Sequence, residues 1–151
     1  MTDLSHGLAD KLVLVTGASR GIGRAVAVSA AVAGAELVIT GRTIGALEEV
    51  DDEIKAAGGK ATIVELDMKD TAAIPRLATA IEGRWGRLDG LVANAGMLPA
   101  LTPVAHLQEK DWDESIAVNL SGQWHLIKAM DPLLRAAPAG RAILVSSGAA
   151  V

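Results

Sequence analysis

The sequence predicts a doubly wound α/β protein, a parallel sheet covered by helices on both faces. Three observations lead there. Short runs rich in branched aliphatic residues alternate with longer helical patterns. Three of those runs, KLVLV, ELVIT and RAILVS, are almost continuously apolar, as strands buried on both faces must be. A glycine also stands ahead of each later strand, where a helix would stop.

The elements follow in order. Residues 12–16 form the first expected strand, and a helix returns from about 21 to 33. Gly34 precedes the second strand (36–40), and Gly58 and Gly59 precede the third (61–66). Gly86 precedes the fourth (88–93) and Gly140 the fifth (141–146). Five parallel strands require four crossovers, and the last of these contains one long helix over 109–135. Residues 97–104, with Pro99 and Pro103, read as a surface loop. Asp70 supplies a helix cap, while Asp111, Asp113 and Glu114 are expected to cap and solvate the start of the long helix.

Composition narrows the function. Half of the 151 residues are apolar, enough for one core, and no repeat or linker divides residues 1–151 into more than one domain. There is no cysteine, which excludes disulfides and thiolate metal sites, and His6, His106 and His125 lack ligand spacing, so no metal is expected. With a net charge of -4 and scattered basic residues, there is no electrostatic footprint for nucleic acid. The N-terminal MTDLSHGLAD has no secretory pattern, and the weakly polar run 25–35 is too short to cross a bilayer. A cytoplasmic protein without a membrane partner is the expectation. Three tryptophans and no tyrosine or phenylalanine leave a core of Val, Ile, Leu and Ala.

The stretch VTGASRGIG puts Gly17, Gly21 and Gly23 directly after the first strand. Three glycines are entropically costly unless something approaches the main chain closely. In a doubly wound sheet this turn lies at the carboxyl ends of the strands, where ligands bind, and the N-terminus of the next helix favours an anion. A pyrophosphate suits that place; tight packing of helix against strand is the other use of the same glycines. A P-loop is excluded, because no Gly-Lys-Ser/Thr follows.

At this point the sequence resembles a family. TGASRGIG is similar to the cofactor loop of the short-chain dehydrogenase/reductases, and four further matches follow in family order. These are Asp67 in ELDM, the triplet Asn94, Ala95 and Gly96, Asn119 in IAVNLSG, and Ser146 with Ser147 in ILVSS. The resemblance runs over essentially the whole chain. It implies a Rossmann-type sheet of order 3-2-1-4-5, a dinucleotide-binding domain, and hydride transfer between a nicotinamide cofactor and a carbonyl or alcohol substrate. It places Gly17, Ser19, Arg20, Gly21, Ile22, Gly23, Arg42, Asp67, Asn94, Ala95 and Gly96 on the cofactor. Asn119 and Ser147 fall on catalytic positions, the first distorting its helix and holding a water, the second bonding the substrate oxygen. A homo-oligomer, dimer or tetramer, is implied for the parent protein.

NADP is expected rather than NAD. An acidic partner for the adenosine ribose would stand about 20 residues past the loop. The second strand instead ends Thr40, Gly41, Arg42. Arg42 with Arg20 can clasp a 2'-phosphate; otherwise both are solvated surface charges. The other positions also have plainer uses. Asp67 and Asn94 suit turns, Ser147 suits local turn bonds, and Asn119, a poor helix former inside the long helix, could be a satisfied amide. A serine nucleophile is disfavoured, for neither serine lies in G-x-S-x-G.

The chain departs from the family in one respect: it has no tyrosine, hence no Tyr-x-x-x-Lys to exchange the proton. The expectation is therefore the cofactor half of a longer reductase or dehydrogenase, truncated before the last strands, binding NADP with little turnover. Its fifth strand would be an exposed apolar edge prone to association. A non-catalytic dinucleotide-binding or subunit-interaction module is the alternative.

Overall fold

The computed structural model describes residues 7–147, and in it LVLVT (β1, Leu12–Thr16) is buried at every position. Successive side chains of a strand point to opposite faces. Leu12 and Leu14 accordingly enter one apolar cluster, Val13 and Val15 another. A strand buried on both faces belongs in the middle of a sheet. There β1 pairs in parallel with β2 (Glu36–Gly41) and with β4 (Gly90–Ala93). Outside these, β3 (Lys60–Glu65) pairs with β2 and β5 (Arg141–Leu144) with β4, giving the expected order β3-β2-β1-β4-β5.

The helices divide between the faces as the two clusters require. Leu47, Val50 and Ile54 of α2 (Ile44–Ala56) join Val13 and Val15, together with Ala27, Ala30 and Ala31 of α1 (Gly21–Val32). Ile74, Leu77 and Ile81 of α3 (Ala73–Trp85) cover Leu12 and Leu14 from the other side. The long helix completes that layer. It comprises α4 (Glu109–Ile116), a π-helical turn (Ala117–Ser121) and α5 (Gly122–Ala136), which buries Leu126, Met130 and Leu133.

Several boundaries differ from the sequence reading, for tertiary reasons. Strand β4 begins at Gly90 rather than Leu88, because the Leu88 N–H is drawn to the Leu133 carbonyl at the end of α5. Strand β5 ends at Leu144, although the Val145 N–H still reaches the Ala93 carbonyl. Asp70 caps α3 by accepting the N–H groups of Ala72 and Ala73. Glu114, expected at the start of the long helix as a solvating charge, instead binds Lys69 at 2.7 Å. Glu109 and Asp111 are the acidic residues of the first turn of α4.

Among the described residues β5 has one strand neighbour, and Ile143 and Leu144 on it are exposed. Trp112, Leu120 and Trp124 are exposed along the long helix. No described helix is long and apolar enough to cross a membrane.

The amino end of the sheet is held by Asp89, which lies just ahead of β4. Its Oδ2 accepts the Leu12 N–H at 3.0 Å and the Arg87 Nε–H at 3.1 Å, with Lys11 Nζ 3.7 Å from Oδ1. Burial alone pushes its pKa up, but the Leu12 N–H and the charges of Arg87 and Lys11 together hold it below the ordinary aspartate value. A carboxylate so depressed stabilises the fold above its unfolded pKa, near pH 4, and that contribution disappears as pH falls through the lower folded value. Asp89→Asn should therefore lower stability at pH 7 and flatten the acid limb of a pH-stability profile below about pH 4. An acid limb as steep as the parent's would contradict this.

Candidate functional site

At the carboxyl end of β1 the buried Thr16 hydroxyl accepts the N–H groups of Asn94 and Ala95, each at 3.1 Å. Asn94 answers in the other direction. Its Nδ2 donates to the carbonyls of Thr16 at 3.0 Å and Gly17 at 3.1 Å, so the chain leaving β1 is held against the chain leaving β4.

That closeness explains two of the three loop glycines. A Cβ on Gly17, whose φ is +64°, would lie 2.8 Å from Ala95 Cα. On Gly23 it would lie 2.3 Å from the Gly17 carbonyl oxygen. Neither position has room for a side chain. Gly21 is different. Its φ is +55°, yet a Cβ there would meet nothing within 4 Å, so its backbone faces open space. Next to it α1 begins at an extended Arg20 without a capping side chain or an acidic residue in the first turn. Gly21 and Ile22, the first residues of α1, line the cleft, and a helix start without a side-chain acceptor fits the diphosphate of a dinucleotide.

The cleft runs across the carboxyl ends of β2, β1 and β4. Every residue expected on the cofactor lines it except Gly23, which sits beneath the loop. Arg20 and Arg42 are both exposed at its wall, and the end of β2 between Thr40 and Arg42 carries no carboxylate. Asp67 is also present, its Oδ1 accepting the Lys69 N–H at 2.9 Å in a local turn. Beyond it Lys69 spans to Glu114 on α4; the hydrogen bond and charge of Lys69 hold the Glu114 carboxyl below its ordinary pKa.

The two expected catalytic residues lie differently. Asn119 sits in the π-helical turn, exposed, with Oδ1 accepting the Met97 N–H at 2.9 Å and Nδ2 donating to the Met97 carbonyl at 2.8 Å. It grips a residue of the cleft wall without lining the cleft. Ser147 follows β5, is exposed, and is outside the lining; residues 148–151 lie beyond the described part. Among the described residues no group of three or more His, Cys, Asp or Glu is gathered for a metal.

Leu66, Met68, Met97 and Val118 also line the cleft and were not expected there. As apolar residues they carry no motif that would single them out. Thr16 opens the loop motif TGASRGIG, but nothing in the motif announces that its hydroxyl accepts the N–H groups after β4. Gln123, whose Nε2 donates to the Ala95 carbonyl at 2.6 Å, was missed as well, although an amide four residues after Asn119 falls on the same helix face.

The family of short chain dehydrogenases matches residues 11–151. An uncharacterized oxidoreductase of Listeria innocua is 34% identical over 138 residues, covering 91% of this chain and 55% of the relative. Among solved structures, a metagenomic short-chain oxidoreductase in complex with NADP matches with a TM-score of 0.88 at 40% identity, over 93% of this chain and 63% of that one. A protein of Escherichia coli CFT073 described as a short chain dehydrogenase, complexed with NADPH, matches with a TM-score of 0.91 at 32% identity, over 97% and 62%. The chain spans about half the length of the curated relatives it matches.

Asn94→Ala leaves the carbonyls of Thr16 and Gly17 without their donor. It should cost about 1–3 kcal/mol of folding stability, measured by urea unfolding. A loss under about 0.5 kcal/mol would show that the amide is dispensable.

Proposed function

The chain belongs to the short-chain dehydrogenase family, and from that premise we propose that its cleft binds NADP(H) for hydride exchange with a carbonyl or alcohol substrate. The observation that carries the cofactor reading is the joining, in one cleft, of the glycine loop with Arg20 and Arg42 and with no carboxylate at the end of β2. Bound NADP(H) supplies the hydride donor or acceptor at its nicotinamide.

The chain's own residues have separate tasks in this reading. Amides from Gly17 to Gly23 hold the diphosphate, with the dipole of α1 behind them. Arg20 and Arg42 take the 2'-phosphate through charge-assisted hydrogen bonds. Asp67 accepts from the adenine amino group, and residues 94–96 support the loop beside the cofactor. Asn119 and Ser147 belong to the proton and substrate side. None of the 151 residues is a tyrosine, so the family's proton-exchanging group is not among them, and these residues alone bind nucleotide without turnover. Cytoplasmic location and homo-oligomeric assembly of the parent belong to the same reading; the exposed Trp112, Trp124 and Ile143 support the latter.

Titration calorimetry with NADPH and NADH tests the assignment. A clasp worth about 1.5–3 kcal/mol makes NADPH tighter by about tenfold or more. Arg42→Ala should remove most of that margin while leaving NADH affinity unchanged. Equal affinities for the two nucleotides in the parent chain would defeat the assignment to NADP.

A further inference from the structure

Residues 95–97 form one wall of the cleft without belonging to a strand or helix. Backbone groups in such a segment need partners from elsewhere. Thr16 takes the Ala95 N–H, and Asn119 takes both polar groups of Met97. The other polar group of Ala95 is its carbonyl, and Gln123 Nε2 donates to it at 2.6 Å. The same nitrogen lies 3.4 Å from the Val118 carbonyl in the π-helical turn.

The amide of Gln123 has one workable orientation. Two carbonyl oxygens face its terminal nitrogen, so turning it over would set Oε1 against two acceptors. Oε1 itself is buried and accepts nothing among the described residues, so it offers no reason for the side chain to be where it is. Leaving that acceptor buried costs free energy. Holding Ala95 offsets it.

We infer that Gln123 is a positioning residue of the nucleotide site, fixing the cleft wall at Ala95 by donating a hydrogen bond to its carbonyl. Asn119 holds the same wall two residues further on, and Gly96 passes between them, where a Cβ would come 3.3 Å from Asn119 Oδ1. A wall clamped at residues 95 and 97 cannot move out of the cleft without breaking a bond to the long helix. This inference rests on the nucleotide reading of the cleft given above.

The test exploits the fact that a carboxyl group can donate only when protonated. Oxidised NADP is titrated calorimetrically against the parent chain, Gln123→Met and Gln123→Glu between pH 8 and pH 5.5, with thermal melts alongside. The parent reports the titration of the ligand and of every other group. Gln123→Met, which cannot donate, should bind about three- to tenfold more weakly at every pH. Gln123→Glu should bind worst at pH 8, where a carboxylate faces two carbonyl oxygens, and return toward the parent by pH 5.5 as the acid form donates to Ala95.

Two results would overturn the inference: Gln123→Met binding as the parent does, or Gln123→Glu following the parent's pH profile. Recovery of the melting temperature of Gln123→Glu at pH 5.5 without recovery of affinity would also overturn it, leaving only a structural role. Should Gln123→Met fail to fold, the pH profile of Gln123→Glu decides alone. A parent chain that binds no NADP would bring down the proposed function and this inference together. Binding by the parent with no change in either variant brings down this inference only.

Discussion

The backbone of Gly17 has to pass within van der Waals reach of Ala95, and the rest of the site depends on that approach. Two strands adjacent in the sheet, β1 and β4, end side by side, and the chain from each must turn away without opening a gap. Thr16 and Asn94 close it with reciprocal hydrogen bonds between buried or half-buried groups. Because the gap is closed, Gly17 and Gly23 cannot carry side chains, and α1 is forced to start directly above the strand ends. Its first residues, Gly21 and Ile22, then line the cleft, without a capping side chain at Arg20.

The end of β4 is thus shared by two sets of bonds. One reaches back to β1 through Thr16 and Asn94; the other reaches across to the long helix through Asn119 and Gln123. The π-helical turn is what lets the helix contribute. Gly122, at its end, packs so closely on the Met68 carbonyl that a Cβ would stand 2.7 Å away. The long helix is therefore seated against both the loop after β3 and the segment after β4, the two walls of the cleft. At the opposite end of the sheet Asp89 ties β1 to the start of β4, so the same pair of strands is anchored at both ends.

Much of this was legible in the sequence. Continuous apolar runs separated by glycine-stopped helices specify a sheet buried on both faces, and LVLV sends alternate residues into two separate cores. The loop glycines announced close approach to the main chain, but not to what: a side chain on Gly23 would meet the Gly17 carbonyl, whereas Gly21 faces open space, a difference set by the fold and not by the motif. Asn119 was conspicuous as a poor helix former, and the π-helical turn accounts for its tolerance there. Its bonding to Met97 was not readable, since nothing in the spacing brings residue 119 to residue 97. Glu114 was assigned to its own helix because local charge patterns are visible and a partner 45 residues away is not. Gln123 shares a helix face with Asn119, but its partner, Ala95, is 28 residues away and equally out of sight.

The central claim is that main-chain amides between Gly17 and Gly23 hold the diphosphate of a nicotinamide nucleotide. A crystal of this chain grown with NADPH tests it most directly. The expected density places the diphosphate over the start of α1, against Gly21 and Ile22, with the 2'-phosphate between Arg20 and Arg42. Density elsewhere on the molecule, or a loop that folds into the cleft and shuts the nucleotide out at saturating concentration, would contradict it.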